Sequence, residues 1–189
     1  RKLVGIDVRN LRTDNAVDMS YMFGNCSSIT KMAAGYEGGV VTSGIEFPDA
    51  SSDVFFIGST SLESIKGMFS GMTALGAATE TVIPGTFAQT HSTAGIDMSE
   101  LFMGDEGLYA LNLTQLKTTD ATTMASMFEG CSGFTTLSYS TNELSQGIEG
   151  IKFGTNFVTG SKLDSISRMF AGMTGLVGME ESVTTASGT

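Results

Sequence analysis

An eight-residue motif that occurs five times constrains the fold of this chain more than any other feature. Each copy contains one phenylalanine, and the copies read MSYMFGNC, IKGMFSGM, MSELFMGD, MASMFEGC and ISRMFAGM. These residues define repeats 1 to 5 and are Phe23, Phe69, Phe102, Phe128 and Phe170. Units repeated in this way bury their apolar faces by packing against their neighbours. The motif therefore predicts repeats stacked along one axis, with the five phenylalanine rings in a single column.

Apolar residues recur within each motif at the period of an α-helix. Counted from the phenylalanine they occupy positions −4, −1 and +3, which in repeat 4 are Met124, Met127 and Cys131. Position −5 always holds a helix N-cap former, and position +2 holds Gly or Asn, which tolerate a left-handed backbone. The pattern predicts a helix of about two turns in each repeat.

A strand is predicted after each motif. The clearest example is LYALNL at 108–113, in which Leu111 and Leu113 alternate with polar residues, and LVGIDV at 3–8 matches it position by position. One helix and one strand per repeat, wound in the same direction, would place a parallel sheet on one face and helices on the other.

Extra residues separate most of the repeats. Phe102 and Phe128 are 26 residues apart, whereas the longer intervals contain insertions at roughly 33–61, 79–94 and 138–162. Each insertion has a β-like piece, namely GIEFP at 44–48, VIPG at 82–85 and GIKFG at 150–154. These pieces either add strands to the sheet or form hairpins over it. The insertions are either a recognition surface or variation in loop length.

The segment LYALNLTQLKTTDATTMASMFEGCSGFTTL at 108–137 resembles the BspA-like leucine-rich repeats, in particular the branch found in mycoplasma-type surface lipoproteins. The likeness is almost as good over 3–32 and looser over 62–76, 96–108 and 163–179. The resemblance implies an α/β fold: a right-handed leucine-rich-repeat-like solenoid with one short helix and one parallel strand per coil. We expect about five such coils with irregular insertions.

The domain organisation follows from the same pattern. We expect one repeat domain over 1–181 and a linker-like tail rich in Ser, Thr and Gly over 182–189. Because the chain begins with Arg1, we expect it to be a processed or excised part of a longer protein.

The charge of the chain limits its partners. Ten basic and twenty acidic residues give a net charge of −10, and no positive stripe is present for nucleic acid or an anionic membrane. No apolar run approaches the roughly 18 residues of a membrane span. The expected partners are an extracellular protein or glycan, or further copies of the chain itself.

The sequence offers no catalytic, cofactor-binding or metal-binding residue, and it predicts a protein that is not an enzyme. It contains no nucleophile elbow, phosphate-binding glycine loop or metal-ligand spacing, and its single histidine, His91, lies in a polar segment.

Cys26 and Cys131 share position +3, which other repeats fill with methionine, so both should be core residues. Three repeats apart, they would be about 14 Å from each other, too far for a disulfide. We expect two buried free thiols.

Asp105 breaks this apolar position, and two interpretations stay open. The pattern favours a bulged turn that places Asp105 in water, because an unpaired buried carboxylate is costly. Alternatively, Asp105 and Glu106, with Asp97 and Glu100, would bind calcium, which needs six or more oxygens.

The resemblance implies a secreted or cell-surface protein, since some members of that family are implicated in adhesion. It supplies no catalytic motif, and the ligand-binding residues are not assigned. We therefore expect an extracellular adhesion or recognition module. The alternative is a structural surface protein that assembles head to tail into a filament or layer.

Overall fold

Ten short strands and a series of turns form the described part of the chain. The computed structural model describes residues 2–34, 44–48, 56–76, 81–82, 94–139, 150–154, 157 and 160–181. The strands are β1 (Ile6–Asp7), β2 (Lys31–Ala34), β3 (Gly44–Phe47), β4 (Thr81–Val82), β5 (Ile96–Asp97), β6 (Ala110–Leu113), β7 (Ala121–Thr123), β8 (Thr136–Tyr139), β9 (Gly150–Phe153) and β10 (Gly178–Glu181). The strand pairings of this part of the chain are all parallel.

Inserted segments contribute strands that lie between the strands of successive repeats. One sheet has the order β1-β3-β2, a second has the order β10-β8-β9-β6-β4, and a third pairs β5 with β7. β3 and β9 come from the insertions at 33–61 and 138–162. The sequence left open whether the pieces at 44–48 and 150–154 add strands or form hairpins, and the structure shows that they add strands.

The predicted helix in each repeat is wrong. Within the described ranges there is no helix, and the motif segments are consecutive turns. Position +2 is left-handed, as its Gly and Asn residues allow, with φ between 61° and 77°. Position −2 is left-handed as well, with φ between 54° and 60°, at Tyr21, Gly67, Glu100, Ser126 and Arg168. Two left-handed residues four positions apart are incompatible with a right-handed α-helix. The α/β coil with one helix and one strand is therefore incorrect.

Hydrogen bonds between repeats explain why turns replace the helix. The N–H groups at positions −4, −2, 0 and +2 donate to carbonyl groups of the following repeat; for example, Phe102 N lies 2.9 Å from Met127 O. In an α-helix these N–H groups would bond to carbonyls four residues back in their own segment. Intervening N–H groups close short turns, as Met127 N does with Met124 O at 3.3 Å. Both kinds of bond keep the buried backbone paired.

The residues expected to cap helices instead stabilise turns. At position −5 of every repeat, a side-chain oxygen accepts a hydrogen bond from the backbone N–H two residues later, as Asp97 Oδ1 does from Ser99 at 2.8 Å. These are Asx and Ser/Thr turns, the alternative local structure that such residues favour.

A column of phenylalanine rings forms the centre of the core. Successive ring centroids of repeats 1 to 5 lie 5.7, 5.6, 5.9 and 5.8 Å apart, with planes tilted by 18° or less. Aromatic residues of the inserted segments pack against this column, and Phe153 contacts both Phe128 and Phe170. Positions −4, −1 and +3 of repeat 4 are fully buried. The predicted apolar positions and the ring column are thus confirmed, although no helix carries them.

Two further predictions concern the C-terminal tail and membrane-spanning segments. The linker-like tail at 182–189 lies outside the described residues, so the domain boundary stays a prediction. No helix in the described ranges is long and apolar enough to cross a membrane.

Candidate interaction surface

Asp105 is buried in the core, so the interpretation that its turn bulges into water is wrong. Its side chain is 0% exposed, and Oδ1 accepts a hydrogen bond from the backbone N–H of Met72 at 2.7 Å. Burial raises the pKa of Asp105 to about 8, against a partial opposing effect of hydrogen bonds from Met72 and Gly71. Oδ2 has no hydrogen-bond partner among the described residues. The neutral carboxylic acid is therefore the favoured form at neutral pH.

The calcium interpretation has no geometric support in the described residues. Glu106 is exposed while Asp105 is buried, so the two carboxyl groups do not converge. No group of three or more His, Cys, Asp or Glu side chains in the described ranges is placed to bind a metal ion. His91 lies outside these ranges.

Cys131 occupies the same position one repeat later. Its thiol donates to the carbonyl of Phe102 at 2.9 Å, and burial raises its pKa to about 12. Both cysteines are free, as predicted; Cys131 is buried, whereas Cys26 is only partly buried. A thiol with a raised pKa forms little thiolate, so Cys131 is a core residue without nucleophilic character.

A polar network lies on the outer side of the turns. The hydroxyl of Tyr21 donates to Glu100 Oε2 at 2.5 Å, and Lys66 Nζ lies 3.0 Å from Glu100 Oε1. The ring of Tyr21 passes over Gly67, where a Cβ atom would lie 2.2 Å from it. The hydrogen bond from Tyr21 and the nearby Lys66 lower the pKa of Glu100, and its carboxylate raises the pKa of Tyr21.

A second pair extends this network along the stack. Arg168 Nε donates to Glu129 Oε2 at 3.0 Å, and the guanidinium also contacts Oε1. The hydrogen bond from Arg168 lowers the pKa of Glu129 to about 2. We call Tyr21, Lys66, Glu100, Glu129 and Arg168 together the turn surface. No pattern in the sequence indicates this surface, because only stacking brings these side chains together from separate repeats.

The two ends of the stack expose residue types that are buried in its middle. Met22 at position −1 of repeat 1 is 40% exposed, although its equivalents in the other repeats are at most 4% exposed. Phe170 of repeat 5 is 38% exposed, and Ile166 is 51% exposed. An open groove of about 560 Å³ lies beside repeat 1, and residues such as Leu11, Met19 and Met22 line it.

One comparison with known proteins places the chain in a family. The family model described as "Mycoplasma protein of unknown function, DUF285" matches residues 63–177, a range that includes the phenylalanines of repeats 2 to 5. The comparisons with curated proteins and with solved structures give no significant match. Because the matched range covers more than half of the chain, the protein belongs to the DUF285 family.

Proposed function

We propose that this protein is a cell-surface module that recognises an extracellular protein or glycan. The likeness of 108–137 to BspA-like repeats supports this assignment, as does the family match over 63–177. The net charge of −10 argues against nucleic acid as the ligand. The proposed activity of the protein is binding without catalysis.

The turn surface is the observation that carries the proposal. Tyr21 is 46% exposed, so its ring offers apolar area to a ligand while its hydroxyl stays bonded to Glu100. Tyr residues are common in binding surfaces because they combine apolar area with a polar tip and lose little conformational entropy. Lys66 and Arg168 add positive groups at fixed places in an otherwise acidic protein.

The backbone holds this surface in a preorganised form. Tyr21 N donates to Lys66 O at 2.8 Å, and Gly67 N donates to Ser99 O at 2.9 Å. The side chains of the turn surface therefore project from a backbone that is hydrogen-bonded to one or both neighbouring repeats. Preorganisation lowers the entropic cost of binding.

Binding to purified extracellular matrix proteins and to a glycan array tests the proposal. Tyr21→Ala should weaken binding to any ligand found by at least about tenfold, the effect of losing about 1.4 kcal/mol. Lys117→Ala removes an exposed cation outside the turn surface and should leave binding unchanged. Absence of binding to every extracellular ligand, or equal loss in both variants, would contradict the proposal.

The surface location is tested separately. An antibody against the folded protein should label intact cells of the source organism, and external protease should remove that label. Labelling that appears only after the cells are opened would contradict the extracellular assignment.

A further inference from the structure

The backbone hydrogen bonds that the N–H groups at positions −4, −2, 0 and +2 of each motif make to the next repeat all run in one direction. Phe23 N donates to Met68 O at 2.9 Å, and Phe128 N donates to Met169 O at 2.9 Å, with the intermediate repeats bonded in the same way. Donors thus point toward repeat 5 and acceptors toward repeat 1. A stack built in this way has chemically different ends.

The outer side of repeat 5 presents the donors that every earlier repeat uses. Within the described residues these N–H groups have no hydrogen-bond partner, and they belong to Ile166, Arg168, Phe170 and Gly172. We call this the donor face. Unpaired backbone groups beside exposed apolar side chains are a template for pairing with another chain.

The outer side of repeat 1 presents the complementary acceptors. Within the described ranges, the corresponding carbonyl groups accept no hydrogen bond, and they belong to Asp18, Ser20, Met22 and Gly24. We call this the acceptor face. Donor and acceptor faces have the same spacing, because both are copies of the arrangement that joins each internal pair of repeats.

The strands at the two faces are complementary as well. Among the described strands, β1 and β10 are the outermost ones of their sheets at the same two ends, and each has one neighbour there. Parallel strand addition at these edges would extend the sheets together with the turns.

We propose that a second copy of this chain docks head to tail, with the donor face of one copy on the acceptor face of the next. Phe170 N then donates to Met22 O of the second copy, in the register that already joins Phe128 to Met169. The contact covers Met22, Ile166 and Phe170, whose equivalents inside the stack are buried. It is a heterologous contact and leaves one free face at each end, so assembly is open-ended. The inference is independent of the ligand recognised by the turn surface.

Two variants test the polarity of this contact. Phe170→Glu blocks the donor face, and Met22→Glu blocks the acceptor face; both sites are exposed, so both variants should fold. Light scattering gives the mass of the particles in solution. For the unmodified chain this mass should rise above 19.8 kDa as the concentration increases, and for each variant alone it should stay at 19.8 kDa. An equal mixture retains one intact donor face and one intact acceptor face. It should form a complex of twice that mass and nothing larger.

Gln115→Glu is the matched control, because it adds the same charge at an exposed position away from both faces. It should assemble like the unmodified chain, and circular dichroism should show the same fold for all variants. The proposal is overturned if the unmodified chain stays at 19.8 kDa at its highest soluble concentration. It is also overturned if either single variant still dimerises, which would indicate a symmetric contact, or if the mixture stays monomeric.

Discussion

The buried carboxyl group of Asp105 accepts a 2.7 Å hydrogen bond from the backbone N–H of Met72, which occupies the same position in the preceding repeat. Cys131 is in a similar position one repeat later, since the backbone N–H groups of Asp105 and Gly104 lower the pKa of its thiol against the larger effect of burial. Position +3 therefore selects a side chain that is small or apolar and faces backbone N–H groups. A carboxyl group satisfies that requirement best when it is protonated.

Asp105→Asn should make the free energy of unfolding less dependent on pH. The pKa of Asp105 is about 8 in the folded protein against an ordinary 3.8, so between these values the folded protein keeps a proton that the unfolded chain releases. Stability of the unmodified chain should fall with rising pH across that interval, by up to about 1.4 kcal/mol per unit. Urea unfolding at pH 4, 6 and 8 measures the free energy of unfolding of both proteins. The value for Asp105→Asn minus the value for the unmodified chain should increase with pH.

Glu106→Gln is the control for that series, because Glu106 is the exposed neighbour. It should leave the pH dependence of the unmodified chain in place. A constant difference between Asp105→Asn and the unmodified chain at all pH values would show that Asp105 is ionised in the folded protein.

Phe102→Ala should destabilise the protein by about 3–5 kcal/mol, because it leaves a cavity in the centre of the ring column. Phe170→Ala removes the same side chain where it is 38% exposed and should cost only about 1–2 kcal/mol. Guanidinium unfolding of dilute protein gives both values. Equal losses would mean that the two rings are equally buried in solution.

Gly67→Ala should cost more than Gly104→Ala, although both glycines have positive φ, at 57° and 76°. The left-handed backbone should cost each alanine about 1 kcal/mol. At Gly67 the new methyl group would also meet the ring of Tyr21, whereas at Gly104 nothing lies within 4 Å. The clash should add about 1–3 kcal/mol, measured as a lower midpoint of thermal or urea unfolding.

The clash has its own test in a second background. In a Tyr21→Ala protein the additional cost of Gly67→Ala should disappear, leaving the two glycine substitutions nearly equal. If Gly67→Ala still costs more than Gly104→Ala in the Tyr21→Ala protein, the extra cost comes from the backbone and not from a clash with the ring.

Arg168→Gln should raise the pKa of Glu129 from about 2 toward its ordinary 4.5, since the hydrogen bond from Arg168 is the main cause of the lowering. Titration of the side-chain carboxyl carbon by NMR measures this change. Arg12→Gln is the matched control, because Arg12 pairs with Asp14 instead. A Glu129 pKa that stays near 2 without Arg168 would show that the pair does not form in solution.

The repeated motif alone predicted much of the core. Its apolar positions, the column from Phe23 to Phe170, the strands after the motifs of repeats 1, 3, 4 and 5 and the free state of both cysteines are present in the structure. These features depend on which residues avoid water, and the amino-acid pattern records that directly. The surface location, the binding activity and the absence of catalysis stay predictions.

Tertiary structure decided the path of the backbone inside each motif. The i, i+3, i+4, i+7 spacing fits a helix, and it equally fits a pair of turns that point the same residues inward. Stacking decides between them, because Phe102 N finds its acceptor on Met127, in a different repeat. Tyr21 and Ser126 at position −2 gave no local sign of a left-handed backbone, yet both adopt it.

The contacts of Asp105 and of the turn surface could not be predicted from the sequence for the same reason. The sequence places Asp105 at a core position, but the N–H that bonds its carboxyl group belongs to Met72, 33 residues earlier. Tyr21 and Glu100 are 79 residues apart and meet only because repeats 1 to 3 are stacked. The repeat pattern determined which positions face the core, because it records which residue types avoid water, although it wrongly favoured an Asp105 turned into water. Hydrogen-bond partners come from neighbouring repeats, and only their packing could decide them.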